Sequence, residues 1–214
     1  MIRKNSMLFY CKNFEEGGAI AIWKIEESIE QLLSYFSLLK VELEEKISSM
    51  GSEKRIKEFL AVRVLISRLL GVENSVIYNQ NGRPSLLGRK EKISISHTNG
   101  YATVIIHPNR NVGVDIEQFR DKILRVKNKF LSPVELSQID PKREKDHLIL
   151  LWSAKEALYK LSDNHLVEFD EDMEVEEHSL KSEGKLFITD KKSVVRYEFF
   201  YEFFDDFVLV YGFE

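Results

Sequence analysis

Residues 107–118 read HPNRNVGVDIEQ, and the punctuation in this stretch decides the fold. Pro108-Asn109-Arg110-Asn111 breaks the chain. The alternation after it reads as a fresh strand. Val112, Val114 and Ile116 point to one face, and Gly113, Asp115 and Glu117 point to the other. A new strand at this point divides the 214-residue chain into two lobes, 1–109 and 110–214.

Each lobe carries its own helices and its own antiparallel strands. In the first, "GAIAIW" (18–23) reads as a strand, and 26–48, rich in Glu, Leu and Ile, reads as helical. Ser52 is placed to cap a helix over 53–70 that Gly71 stops. "SVIYNQNGRPSL" holds a short strand and the turn Asn81-Gly82. "KISISHTNGYATVIIHP" gives two strands around Thr98-Asn99-Gly100, a hairpin. In the second lobe, "FLSPVEL" has complete helix-start chemistry. Ser132 is the N-cap, Pro133 the first helical residue and Glu135 the far end of a capping box, with Leu131 and Leu136 as a hydrophobic staple. A long helix over 145–162 follows, and "KLFIT", "SVVRYEFFYEF" and "FVLVYGF" close the chain as strands. The expected class is α+β, with a small antiparallel sheet packed by helices in each lobe.

Composition narrows the functions. At 43% hydrophobic and 31% charged residues, the chain is an ordinary globular sequence. A net charge of −4 weighs against a general nucleic-acid binder. Cys11 is the single cysteine, so no intrachain disulfide forms and a cysteine-only zinc site is excluded. His97, His107 and His165 show no metal-ligand spacing. The start has no apolar run of signal-peptide length, and no stretch approaches the roughly 20 apolar residues of a membrane span. The cytoplasm is the expected location. No Walker or Rossmann glycine loop is present.

Three places carry chemistry. Asp115 and Glu117 share a strand face, which is either a solvated face or the start of a magnesium site, since hard cations take oxygen ligands and cancel carboxylate repulsion. On that face Gly113 is expected to leave room for a bulky ligand. In "LWSAKEALYK", Leu151, Ala154, Leu158 and Leu161 form the core stripe, and Glu156 and Lys160 are neighbours on the opposite side. That pair is either a surface ion pair or, given the flanking Trp152 and Tyr159, the wall of a cleft. Arg63 lies within an apolar helix face, with Phe59, Leu60, Ile66 and Leu70 at offsets −4, −3, +3 and +7. A buried arginine needs a partner, either a structural carboxylate or a bound phosphate. Lys54, Arg55 and Lys57 add charge near the same helix start. His97 alternates with Ile93 and Ile95 and is expected to face inward.

Taken in order, these segments resemble the 4′-phosphopantetheinyl transferase superfamily of the two-lobed, surfactin-synthetase-activating type. "VGVDIE" is similar to its G-x-D-x-E strand, "WSAKEALYK" to its W-x-x-K-E-x-x-x-K helix, and "NGRPSL" and "SISHT" to its G-K-P and S-H-S segments. The resemblance implies pseudo-twofold-related lobes with coenzyme A and magnesium between them, the first lobe on the nucleotide side and the second on the catalytic side. It implies transfer of phosphopantetheine to a serine of an acyl or peptidyl carrier protein, with release of adenosine 3′,5′-bisphosphate. Asp115, Glu117 and Glu156 match the metal ligands, and Lys160 the lysine near the transferred phosphate. Arg83, Ser96 and His97 match coenzyme contacts, with Arg55 and Arg63 as looser matches. Glu135 matches a glutamate proposed as general base, although the capping box already accounts for it; Glu156 or a metal-bound water is the other candidate. Arg83 replaces the family lysine and Thr98 the final serine. Two lobes in one chain imply that a monomer completes the site. The rival readings are a magnesium-dependent nuclease and a non-catalytic coenzyme A or carrier-binding module.

Overall fold

In a computed structural model, which describes residues 7–162 and 167–214, the chain forms two units, Met1–Asn109 and Arg110–Glu214. His165 lies outside the described residues. The class is α+β with antiparallel sheets.

The first unit runs β1 (Leu8–Asn13), β2 (Ala19–Lys24), α1 (Ile29–Leu33), α2 (Lys40–Ser48), α3 (Glu53–Leu70), β3 (Val76–Tyr78), β4 (Pro84–Leu86), β5 (Lys92–Thr98) and β6 (Tyr101–His107). Its main sheet has the order β1-β2-β6-β5, and β3-β4 is a separate hairpin. The α3 boundaries are locally encoded. The Ser52 hydroxyl accepts from the Arg55 amide at 3.4 Å, and Gly71 closes the helix at φ +71°, a left-handed conformation that glycine adopts without a Cβ penalty. Leu60, Ala61, Val64 and Leu65 share a core with Ala21, Trp23, Ala102 and Val104 of the sheet.

The continuous helix expected over 26–48 is two helices. The Ser28–Gln31 capping box starts α1, and the Ser34 hydroxyl donates to the Gln31 carbonyl at 2.6 Å where it ends. The α2 start is then set from a distance. The Glu73 carboxylate accepts from the amides of Ser37, Leu38 and Leu39 at 2.8, 3.0 and 2.8 Å. These amides belong to the N-cap, Leu39, and to the two residues before it, so the carboxylate fixes the chain where it enters the helix. A break fixed by a residue more than thirty positions away leaves no mark in helical periodicity.

The second unit runs β7 (Val112–Gln118), α4 (Lys122–Val126), a 3-10 turn (Lys127–Lys129), α5 (Pro133–Ser137), α6 (Glu144–Leu161), α7 (Phe169–Asp172), β8 (Met173–Val175), β9 (Glu183–Asp190), β10 (Val195–Phe203) and β11 (Phe207–Phe213). Its sheet has the order β7-β11-β10-β9-β8. Ser132, Pro133 and Glu135 start α5 with the full capping box. Leu151, Ala154, Leu158 and Leu161 of α6 pack with Phe199, Val208 and Val210.

Val112 through Ile116 are buried on both faces of β7, because α6 lies directly over the strand. A Cβ on Gly113 would stand 2.0 Å from the Ala157 carbonyl oxygen and 2.8 Å from Leu161 Cβ. Gly113 therefore admits the helix and does not leave the face open for a ligand, as the strand pattern alone suggested. Its role is the close approach that brings α6 onto the carboxylates of β7. Among the described residues no helix is long and apolar enough to cross a membrane.

Candidate functional site

The site of the second unit is built where α6 crosses β7. Lys160 Nζ is 2.7 Å from Asp115 Oδ1. The Ser153 hydroxyl donates to Asp115 Oδ2 at 2.9 Å. The Trp152 indole N–H donates to Glu117 Oε1 at 3.3 Å. Ser153, Glu156 and Lys160 are spaced i, i+3, i+7 and therefore occupy one stripe of the helix. The structure thus brings Asp115, Glu117, Glu156 and Lys160 together and adds Trp152 and Ser153.

Electrostatics show how close the carboxylates are. Burial pushes Glu156 up to about 7, and the charges of Asp115 and Glu117 add to the rise while Lys160 opposes it. Burial, and then Asp115, also raises Glu117, against the Trp152 hydrogen bond. Three mutually repelling carboxylates with oxygen-only donors fit a hard divalent cation. Among the described residues, no three His, Cys, Asp or Glu groups stand in metal-ligating geometry, and Lys160 lies against Asp115.

The pH dependence follows from the raised Glu156. Its ordinary pKa is 4.5 and its folded value about 7, so between these the folded chain holds a proton that the unfolded chain has released. Stability then falls as pH rises through this window, by up to about 3 kcal/mol. Buried His147, lowered to about 4 chiefly by burial, has the opposite slope, because its neutral form is favoured in the fold. That slope is common to wild type and a Glu156→Gln variant. In chelator, Glu156→Gln is expected to be more stable than wild type in urea at pH 8, with the gain vanishing near pH 4. An equal gain at both pH values would exclude a raised Glu156.

Glu135 belongs to a different network. It is 1% exposed, with Oε2 accepting from the Ser132 amide at 2.8 Å and from Lys155 Nζ at 2.7 Å, and Oε1 accepting from the Val175 amide at 2.9 Å. Lys155 is 0% exposed and also reaches the carbonyls of Phe130, Phe169 and Met173 at 2.8, 2.7 and 2.9 Å. Sequence reasoning assigned no role to Ser153 or Lys155, though a signal existed for each. Ser153 shares the stripe of Glu156 and Lys160, and Lys155 lies inside the apolar stripe between Leu151 and Leu158.

In the first unit, Arg63 is 5% exposed and among the described residues forms no ion pair. Its guanidinium lies 3.6 Å from the Phe59 ring centroid and donates to the Phe59 carbonyl and the Tyr78 hydroxyl, each at 3.3 Å. Among the described residues no carboxylate stands at ion-pairing distance from it, although the charge of Glu42 acts on it from farther away. Burial lowers its pKa, and Tyr78 partly offsets this. His97 is not inward: its side chain is 54% exposed, with Nδ1 3.6 Å from Glu58 Oε2. The strand alternation places it correctly beside α3, but at a position where the helix no longer covers the sheet. Ser96 is buried, Arg55 is exposed, and Arg83 is part-buried with its pKa lowered by burial.

A cavity of about 550 Å³ adjoins the carboxylate site within the second unit. Glu117 and Trp152 form one wall, and Ile123, Val126, Phe130 and Phe169 supply apolar lining. Arg120, Lys122 and Lys129 bring positive charge to the same cavity.

The fold and site define an α+β protein whose strand-borne carboxylates meet a helix-borne glutamate and lysine. The pattern of the 4′-phosphopantetheinyl transferase superfamily matches residues 111–211, which hold this whole constellation. The second unit is thus similar to that superfamily over the residues that carry the site. The chain is also similar to the 4′-phosphopantetheinyl transferase AcpT of Salmonella typhimurium (strain LT2), 29% identical over 112 residues that cover 50% of this chain. The chain spans 58% of the length of that relative.

Proposed function

We propose that this chain transfers the 4′-phosphopantetheine group of coenzyme A to a serine hydroxyl of an acyl or peptidyl carrier protein. The observation that carries the reading is the convergence of Asp115, Glu117 and Glu156 with Lys160 in a unit that matches the pattern of this superfamily. In the reaction, the serine oxygen forms a bond to the phosphorus that bears pantetheine. The bond from that phosphorus to the bridging oxygen breaks, and adenosine 3′,5′-bisphosphate departs with the electron pair. Such transfers need positioning and charge neutralisation more than covalent chemistry from the protein.

Asp115, Glu117 and Glu156 would hold magnesium, which supplies positive charge to the pyrophosphate. Lys160 neutralises the transferred phosphoryl group. Glu156 is placed to accept the serine proton. Glu135 is not, because both of its oxygens are buried in hydrogen bonds to the core. Arg63, with an aromatic shelf beneath its guanidinium, and the exposed His97 and Arg55 suit an anionic nucleotide, together with Arg83 and Ser96. The apolar cavity beside Glu117 and Trp152 suits the uncharged pantetheine chain. The reading includes a cytoplasmic monomer whose partners are coenzyme A and the carrier, with no nucleic acid or membrane.

The test is incubation with coenzyme A, magnesium and a panel of apo carriers from fatty-acid, polyketide and nonribosomal-peptide systems. At least one carrier is expected to gain the phosphopantetheine mass. No gain on any carrier, or nicking of plasmid DNA under the same conditions, would overturn the reading.

A further inference from the structure

Asp115 is buried and gripped from two sides by α6, and the two grips differ in kind. Ser153 is fully buried, and its hydroxyl reaches Oδ2 at 2.9 Å from the middle of the helix. It has a single short rotor and cannot leave. Lys160 reaches Oδ1 at 2.7 Å, with its side chain 27% exposed at the end of a four-carbon stem. It can swing away without disturbing the helix. Glu156 lies between them on the same stripe.

Resting on the proposed function, we infer that Lys160 is a removable internal counter-ion of Asp115, competing with the divalent cation for that carboxylate, while Ser153 is the fixed residue that orients it. A buried carboxylate among other carboxylates is costly unless a positive charge faces it. In the chain without a cation, the Lys160 ammonium fills that need. When a divalent ion takes the carboxylates, the like charge of Lys160 is repelled from Asp115 and becomes available to a phosphate. Release of Lys160 thus couples cation binding to coenzyme binding, and each favours the other. Ser153 keeps Oδ2 fixed throughout, so that the carboxylate does not rotate when its other partner changes. Hydrogen-bonding partners of metal ligands often contribute in this way.

The test is calorimetric titration of the full chain with manganese, without coenzyme or carrier. Lys160→Met removes the competing charge and is expected to tighten manganese binding by on the order of tenfold. Ser153→Ala is expected to weaken it about tenfold. Near-UV circular dichroism and thermal melts run in parallel establish that both variants are folded. If Ser153→Ala is unfolded, Ser153→Cys, which keeps a weak donor, takes its place with the same expected direction. Wild type that binds manganese while Lys160→Met binds equally or more weakly overturns the counter-ion role. An unchanged affinity in the Ser153 variant overturns the orienting role. Wild type that binds no manganese overturns the metal reading itself, and this inference with it.

Discussion

Lys155→Met is expected to lower the melting temperature by roughly 10 °C, with about 3–5 kcal/mol lost. Lys155 is fully buried, and its ammonium lies within 3 Å of the Glu135 carboxylate and three backbone carbonyls. Those carbonyls come from Phe130, Phe169 and Met173, so one side chain ties α6 to the segment before α5, to α7 and to β8. Burial lowers the lysine pKa, and the charge of Glu135 opposes that. Methionine has similar volume, so the packing is filled, but Glu135 is left charged and buried without its cation. Removing one member of such a pair costs far more than the pair itself is worth. A second substitution identifies the source of the loss. Lys155→Met combined with Glu135→Gln is expected to lose less than the sum of the two single variants. Thermal melts and urea titrations read the outcome. A shift under about 2 °C for the single variant would show that the network is not a stabilising anchor.

Local chemistry was readable in the sequence wherever the structure is decided locally. Ser52 and Gly71 bound α3, and Ser132, Pro133 and Glu135 start α5, because caps act within one turn. Strand alternation put Asp115 and Glu117 on one face, and helical spacing put Glu156 and Lys160 side by side. Sequence position alone cannot show that these two elements lie against each other. That depends on Gly113 admitting α6 to the strand, and the same glycine read in isolation suggested space for a ligand. The split of 26–48 was hidden for the same reason, since the Glu73 carboxylate comes from beyond α3.

The buried polar residues teach a related lesson. Arg63 interrupts the apolar stripe of α3, and Lys155 interrupts that of α6 in the same way. Of the two readings for Arg63, the salt bridge gave way to an aromatic shelf and a phenol. Neither hydrogen-bonding partner carries a full negative charge, and the carboxylate of Glu42 acts only from a distance. His97 shows the limit of alternation. It shares a face with buried Ile93, yet it lies where helical cover ends.

Asp115→Asn should abolish most phosphopantetheine transfer, by at least about 10²- to 10³-fold, while leaving the fold intact. Asparagine keeps the size of the side chain and an oxygen for the Ser153 hydroxyl. It removes one of three charges proposed to hold the cation, and with it the ion pair to Lys160. The change in stability should be small because two effects oppose each other. Lys160 loses a partner, but Glu117 and Glu156 lose a neighbour whose charge raises both of their pKa values. Glu156 should therefore titrate lower in the variant, and the stability lost between pH 4.5 and 7 should shrink. Carrier mass gain and a melting curve on the same preparation separate activity from folding. Near-wild-type transfer would remove Asp115 from the metal site, and a cooperative unfolding loss of several degrees would assign it a structural role instead.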